Sequence, residues 1–239
     1  MNLIEYPVPE WVKISFLICI PAPFALTTLL VKSAFANHAG NKATAKTAIF
    51  FTFYAGYIMA LGSLGCYGKV FFPPLVLLFT TFPFAFFLFL YVGKTAFFKA
   101  FLQNVALSRL VQVHIFRLIG TFFIILALHD ALPKWFALAA GLGDVLTAIL
   151  SIWVARLVRE KHKKAKAIVL AWNTFGLADI IFTAISANVL TKLSIDNGIM
   201  GVDTLAIFPF YYIPALAPPL IMFLHYAIYL KIKQQDALS

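Results

Sequence analysis

Long stretches of this chain contain no Asp, Glu, Lys or Arg. Residues 14–31 lie between Lys13 and Lys32, residues 47–68 between Lys46 and Lys69, residues 70–93 run up to Lys94, and residues 204–230 follow Asp203. Three further stretches hold one charge each: Arg117 between Arg109 and Asp130, Asp144 between Lys134 and Arg156, and Asp179 between Lys166 and Lys192. A helix crosses a ~30 Å hydrocarbon core with about 17 to 25 residues, which every stretch can supply. No water reaches that core, so the backbone of a spanning segment must satisfy itself, as a helix does. The expected fold is an all-α membrane protein. It is a single seven-transmembrane-helix bundle over about 11–31, 46–67, 70–92, 107–129, 133–156, 167–191 and 206–230.

Composition removes the alternatives. Charged residues make up 12% of the chain and apolar residues 62%, where a soluble domain is about a quarter charged. So few charges cannot form a solvated shell, which excludes a soluble enzyme, a nucleic-acid binder and a disordered chain. The two cysteines, Cys19 and Cys66, sit in apolar runs without metal-binding spacing, so neither a disulfide framework nor a metal site is expected. Glu5 and Glu10 oppose Lys13 at the start, the reverse of a signal peptide's basic region. No cleaved leader is therefore expected.

The basic residues set the orientation. Of 19 Lys and Arg, fourteen fall after the first, third and fifth spans or at the C-terminus. Lys13, Lys69, Lys134 and Lys192 fall on the other side, and Arg117 lies within a span. The positive-inside rule then places the N-terminus outside and the C-terminus in the cytoplasm. The basic loop 157–166 is expected to meet anionic lipid headgroups, and no nucleic acid. Residues 94–106 place Phe97, Phe98, Phe101, Leu102 and Val105 on one helical face, as in a helix lying in the interface.

An ionisable side chain at bilayer depth is costly and needs a partner or a task. Counted from the cytoplasmic ends, His114 lies ~8 Å in, Arg117 ~12 Å, Asp144 ~18 Å and Asp179 ~20 Å. Trp172, Asn173 and His225 sit nearer the cytoplasm. Gly141, Asp144, Thr147 and Ser151 form one helical stripe, and Trp172, Gly176, Asp179 and Thr183 another. The segments GLGDVLTAILS (141–151) and GLADIIFTAIS (176–186) share Gly-Leu-small-Asp on antiparallel neighbours. A motif so repeated can meet itself near the midplane. Interior prolines, Pro218 and Pro219 above all, free backbone carbonyls and can line a cavity. The candidate site is therefore Arg117, Asp144 and Asp179, with His114, Trp172, Asn173 and His225 on its cytoplasmic side. One Arg neutralises one carboxylate, which leaves a surplus Asp to bind a proton or a small-molecule ligand, unless the ions form a structural pair.

Several seven-helix classes are set aside on particular residues. Retinal would need a lysine in the last span, and 206–230 has none, so no retinal cofactor is expected. Zinc hydrolases of the membrane gather several histidines, whereas the last span has only His225. A haem held by His114 and His225 is geometrically conceivable and disfavoured. Pro-Gln loop permeases carry a Pro-Gln dipeptide, absent here. The leading expectation is a small-solute or proton-coupled transporter whose unpaired Asp cycles a proton. Alternatives are a non-retinal ligand-binding sensor, a membrane-embedded metal-dependent enzyme, and a purely structural ion-pair cluster. An enzymatic role is not favoured.

Five motifs run through the second half: R-x-I-G at Arg117–Gly120, L-P-x-x-F-A at Leu132–Ala137, G-x-G-D at Gly141–Asp144, W-N-x-x-G-x-x-D at Trp172–Asp179, and Leu224-His225. Over about residues 110–230 the chain resembles a group of uncharacterised bacterial polytopic integral membrane proteins. The resemblance implies a multi-pass protein of the bacterial cytoplasmic membrane and brings no activity with it.

Overall fold

A computed structural model describes residues 3–35 and 37–236. Its regular elements are helices. Seven are long and apolar enough to cross a membrane. We number the helices α1 (Glu10–Ala34), α2 (Asn37–Ser63), α3 (Leu77–Lys94), α4 (Ala96–Asn104), α5 (Leu107–Leu128), α6 (Lys134–Arg159), α7 (Ala165–Asn197) and α8 (Tyr212–Asp236). All but the short α4 are of membrane-spanning length.

Several ends differ from those drawn at the charges. Helix α2 begins at Asn37, not near 46, because Lys42 and Lys46 are exposed on a helix that runs past them. Charges mark where hydrocarbon ends, not where a helix ends. Helix α3 begins at Leu77 rather than 70. Gly65 has φ +73° and the Pro73-Pro74 pair follows, so residues 64–74 make a loop that leads through 75–76 into α3. Helix α7 runs on to Asn197 and stops at Gly198, whose φ of +66° lets its N–H close onto the Ser194 carbonyl. Helix α8 starts at Tyr212 rather than 206, after a short helical turn at Asp203–Ala206 and Pro209.

The prolines of α8 explain how it is held. A proline at position i frees the carbonyl of residue i−4. Pro218 frees Pro214 O, which accepts from Thr81 Oγ1 on α3 at 2.6 Å. Pro219 frees Ala215 O, which accepts from Tyr54 OH on α2 at 2.8 Å. On α3, Pro83 frees Phe79 O, and Tyr57 OH on α2 donates to it at 2.9 Å. Each orphaned carbonyl meets a hydroxyl from a neighbouring helix, the condition for such breaks at membrane depth.

The amphipathic helix α4 buries Phe98, Phe101 and Leu102, and Val105 just beyond it is 1% exposed. Phe97 departs from the expected face: it is exposed, with its ring stacked on Phe35. Lys231, one of the fourteen cations of the expected cytoplasmic side, lies inside α8 and is buried. Its ammonium donates to Leu102 O at 2.7 Å and Gln103 O at 3.0 Å, closing the C-terminal turn of α4.

Two apolar cores flank the middle of the bundle. One gathers Leu110, Val113 and Phe116 of α5 with Trp172 of α7 and Leu224 and Ile228 of α8. The other gathers Phe122, Phe123 and Ala127 of α5 with Phe136 and Ala140 of α6 and Ala215 of α8. Arg117 lies on α5 between the two sets, and Asp144 follows Ala140 by one turn.

Candidate functional site

Helix α5 changes pitch over Val113–Gly120, where it winds as a 3₁₀ helix. Arg117 lies in that stretch, wholly buried. At ~1.5 Å per residue it is about 15 Å along α5 from Leu107, near the middle of that helix. Its guanidinium makes four contacts. Nε donates to Asp144 Oδ1 at 2.6 Å, and Nη2 donates to Asp179 Oδ2 at 2.5 Å. Nη1 donates to Gly176 O at 3.0 Å and meets His225 Nε2 at 3.1 Å. Four helices, α5, α6, α7 and α8, thus converge on one side chain. Only a planar fork with five N–H donors can serve partners in so many directions.

Asn173 settles the tautomer of His225. Its Nδ2 donates to His225 O at 3.1 Å, so its Oδ1, 2.8 Å from His225 Nδ1, is the acceptor there. His225 therefore carries its proton on Nδ1 and offers the Nε2 lone pair to Arg117. Trp172 Nε1 donates to Thr147 O at 3.0 Å, which ties α7 to α6 beside the cluster.

His114 completes the group. It is fully buried, its ring centroid 4.2 Å from that of His225 and 5.2 Å from that of Trp172. Neither of its ring nitrogens has a hydrogen-bond partner among the described residues, and neither does the buried Thr147 hydroxyl. Buried polar groups are rarely left so, and each such case calls for an explanation.

The structure brings together all seven residues expected at the site. It corrects one expectation about them: neither Asp is left unpaired, because the single guanidinium is shared between both carboxylates. The repeated Gly-Leu-small-Asp segments do meet at Arg117, but not with each other's equivalent residues. Asp144 packs against Gly120 of α5, and Asp179 against Gly143 of α6. A Cβ on Gly120 would lie 2.3 Å from Asp144 Cβ, and one on Gly143 would lie 1.8 Å from Asp179 Oδ1. A Cβ on Gly176 would lie 2.8 Å from both His225 Cε1 and Thr147 Cγ2. The glycines spaced around the two acids are the space those side chains and His225 occupy. That these side chains themselves fill the space was not evident in the sequence, although the signal was present as R-x-x-G at Arg117–Gly120, as Gly143 directly before Asp144 and as G-x-x-D at Gly176–Asp179.

A small cavity of about 30 Å³ borders Arg117, Gly120 and Asp144 and is also lined by Phe16, Ile20 and Leu216. That is room for about one water molecule. Among the described residues, no three His, Cys, Asp or Glu side chains are gathered as a metal ion would require.

Residues 72–232 match a family described as a domain of unknown function (DUF8737). The chain belongs to this DUF8737 family. The matched region takes in all seven site residues and leaves α1 and α2 outside. No curated protein and no solved structure matches the chain.

Proposed function

We propose that this DUF8737 protein is a multi-pass membrane protein, with the N-terminus outside, whose Arg117 cluster binds a proton while carrying a small solute. One observation carries the reading: a single guanidinium, fully buried, faces two carboxylates at hydrogen-bond distance. If all three are ionised the cluster holds a net charge of −1 where an unbalanced charge is expensive. A proton is the smallest cation that balances it. His114, with both ring nitrogens unpartnered among the described residues and beside His225, provides a place for that proton to arrive from or leave to. The small cavity at Arg117 and Asp144 gives a water or a polar group of a solute contact with the charges. The orientation rests on the distribution of Lys and Arg, with the 157–166 loop against cytoplasmic headgroups.

The saturated hydrogen bonding of Arg117 favours a second reading, a structural ion triad that locks α5, α6, α7 and α8 together. Proton flux separates the two. Wild-type protein and Asp179→Asn are reconstituted in liposomes containing a pH-sensitive dye, and a pH gradient is imposed with a panel of small solutes outside. Wild type is expected to move protons with at least one solute, and Asp179→Asn to lose that movement while its melting temperature stays close to wild type. If wild type moves no protons and no solute shifts its melting curve, the carrier reading fails and the triad remains. The orientation has its own check: single cysteines at 161–164 are expected to resist a membrane-impermeant maleimide in intact cells. Labelling there from outside would reverse the topology.

A further inference from the structure

A second cavity, of about 240 Å³, lies on the far side of Phe123 and Ile213, which line both it and the small one. Its walls include Phe82 and Ala85 of α3, Ala184 and Ala187 of α7, and Pro218 and Met222 of α8. Lys69 and Phe71, in the loop before α3, and Asp203, in the short turn before α8, also line it. Ala85 is about 12 Å along α3 from Leu77, and Met222 about 15 Å along α8 from Tyr212. The cavity is therefore a slot running from the interface to roughly the middle of a ~30 Å core.

Most of the polar donors on its walls are already occupied. Thr81 Oγ1 donates to Pro214 O at 2.6 Å, Asn188 Nδ2 to Ala184 O at 2.9 Å, and Thr191 Oγ1 to Ala187 O at 3.0 Å. Asp203 Oδ2 accepts the Ile4 N–H at 3.0 Å. The shaft consequently has little to offer a polar solute and suits a hydrocarbon chain. At the mouth, Lys69 is exposed. The lining also carries Phe71 and Phe82, exposed apolar rings that would meet lipid in a bilayer. Asp203, also on the lining, is buried and bonded to the Ile4 N–H, whereas Lys69 is exposed, so an apolar slot of half-bilayer depth offers one accessible cation to the headgroup of an amphiphile.

We propose that the slot between α3, α7 and α8 holds one acyl chain of an anionic phospholipid, with the phosphate against Lys69. Within a membrane the chain gains no hydrophobic free energy by leaving other lipids. Selectivity must then come from close packing in the slot and from the lysine. The proposal depends on membrane insertion and not on proton coupling, so a failure of the carrier reading leaves it standing.

The full-length protein, purified in mild detergent, is mixed with dioleoyl phosphatidylglycerol and dioleoyl phosphatidylcholine in equal amounts, and retained lipids are counted by native mass spectrometry. Wild type is expected to keep one phosphatidylglycerol in about fivefold preference, the size of one lysine–headgroup attraction. Lys69→Glu should abolish the preference and Lys69→Arg keep it. Ala187→Phe, which fills the slot, should lose retention of both lipids. Ala85→Leu, on the opposite wall, serves the same purpose should Ala187→Phe not fold. Equal retention of the two lipids by wild type, an undiminished preference in Lys69→Glu, or undiminished retention in a folded wall variant would each overturn the proposal.

Discussion

Replacing Arg117 by leucine is expected to cost about 3–5 kcal/mol, the loss found when one partner of a buried ion pair is removed. For a chain of this size that corresponds to a fall of roughly 10 °C or more in Tm, measured in detergent by the loss of monodisperse protein on heating. The size follows from what is left behind. Asp144 and Asp179, bonded to Arg117 at 2.6 Å and 2.5 Å, would keep two negative charges in an apolar setting. His225 Nε2 and Gly176 O would lose a donor with them. Removing one acid acts in the opposite direction. Asp179→Asn brings the formal charge from −1 to 0, whereas Arg117→Leu takes it to −2. The first substitution should therefore be mild and the second severe, although each breaks the same ion pair. The triple variant Arg117→Leu, Asp144→Asn, Asp179→Asn should recover much of the lost stability. Arg117→Lys should fall between, because one ammonium cannot present the fork that serves four partners. A triple variant no more stable than Arg117→Leu would show that charge is not what the cluster balances.

The seven spans and the three ions at depth were legible because lone charges stand out in apolar runs. Arg117, Asp144 and Asp179 could be selected by counting, and their helical stripes indicated which neighbours would share their faces. Their mutual arrangement could not be obtained this way. Periodicity gives the angle of a residue on its own helix and says nothing about how helices are turned toward each other. The sharing of one guanidinium between two carboxylates therefore appeared only in three dimensions. The same limit hid the hydroxyls of Thr81 and Tyr54, which take the carbonyls freed by Pro218 and Pro219 from far away in the sequence. Lys231 has a contact that its place in the sequence does not reveal, for a different reason. As a cation at the end of an apolar run it reads as a topological charge, yet it is spent on the last carbonyls of α4. The helix ends were the least legible, since α2 and α7 continue as helices beyond the residues that mark the edge of the hydrocarbon.

Gly120→Ala is expected to be more damaging than Gly143→Ala, although the second creates the shorter contact. The new methyl at Gly143 would fall 1.8 Å from Asp179 Oδ1, the tip of a side chain that can rotate away. The cost is then about 1–3 kcal/mol of overpacking, together with the weakening of the Arg117–Asp179 bond. The new methyl at Gly120 would fall 2.3 Å from Asp144 Cβ. No rotamer moves a Cβ, so the backbones of α5 and α6 must separate and carry Arg117 away from both acids. Compensation distinguishes the two cases. Asp179→Ala removes the oxygen that meets the Gly143 methyl, so in its background Gly143→Ala should add little further loss. Asp144→Ala keeps the Cβ that meets the Gly120 methyl, so Gly120→Ala should remain destructive there, and only Asp144→Gly should relieve it. Thermal melting of these five single and three double variants in the same detergent reads the comparison directly. If Asp144→Ala relieves Gly120→Ala as fully as Asp144→Gly does, the helices are not in Cα-to-Cβ contact at this point. In that case α5 and α6 stand farther apart at Gly120 than these distances require, and the glycines owe their places to something other than the two acids.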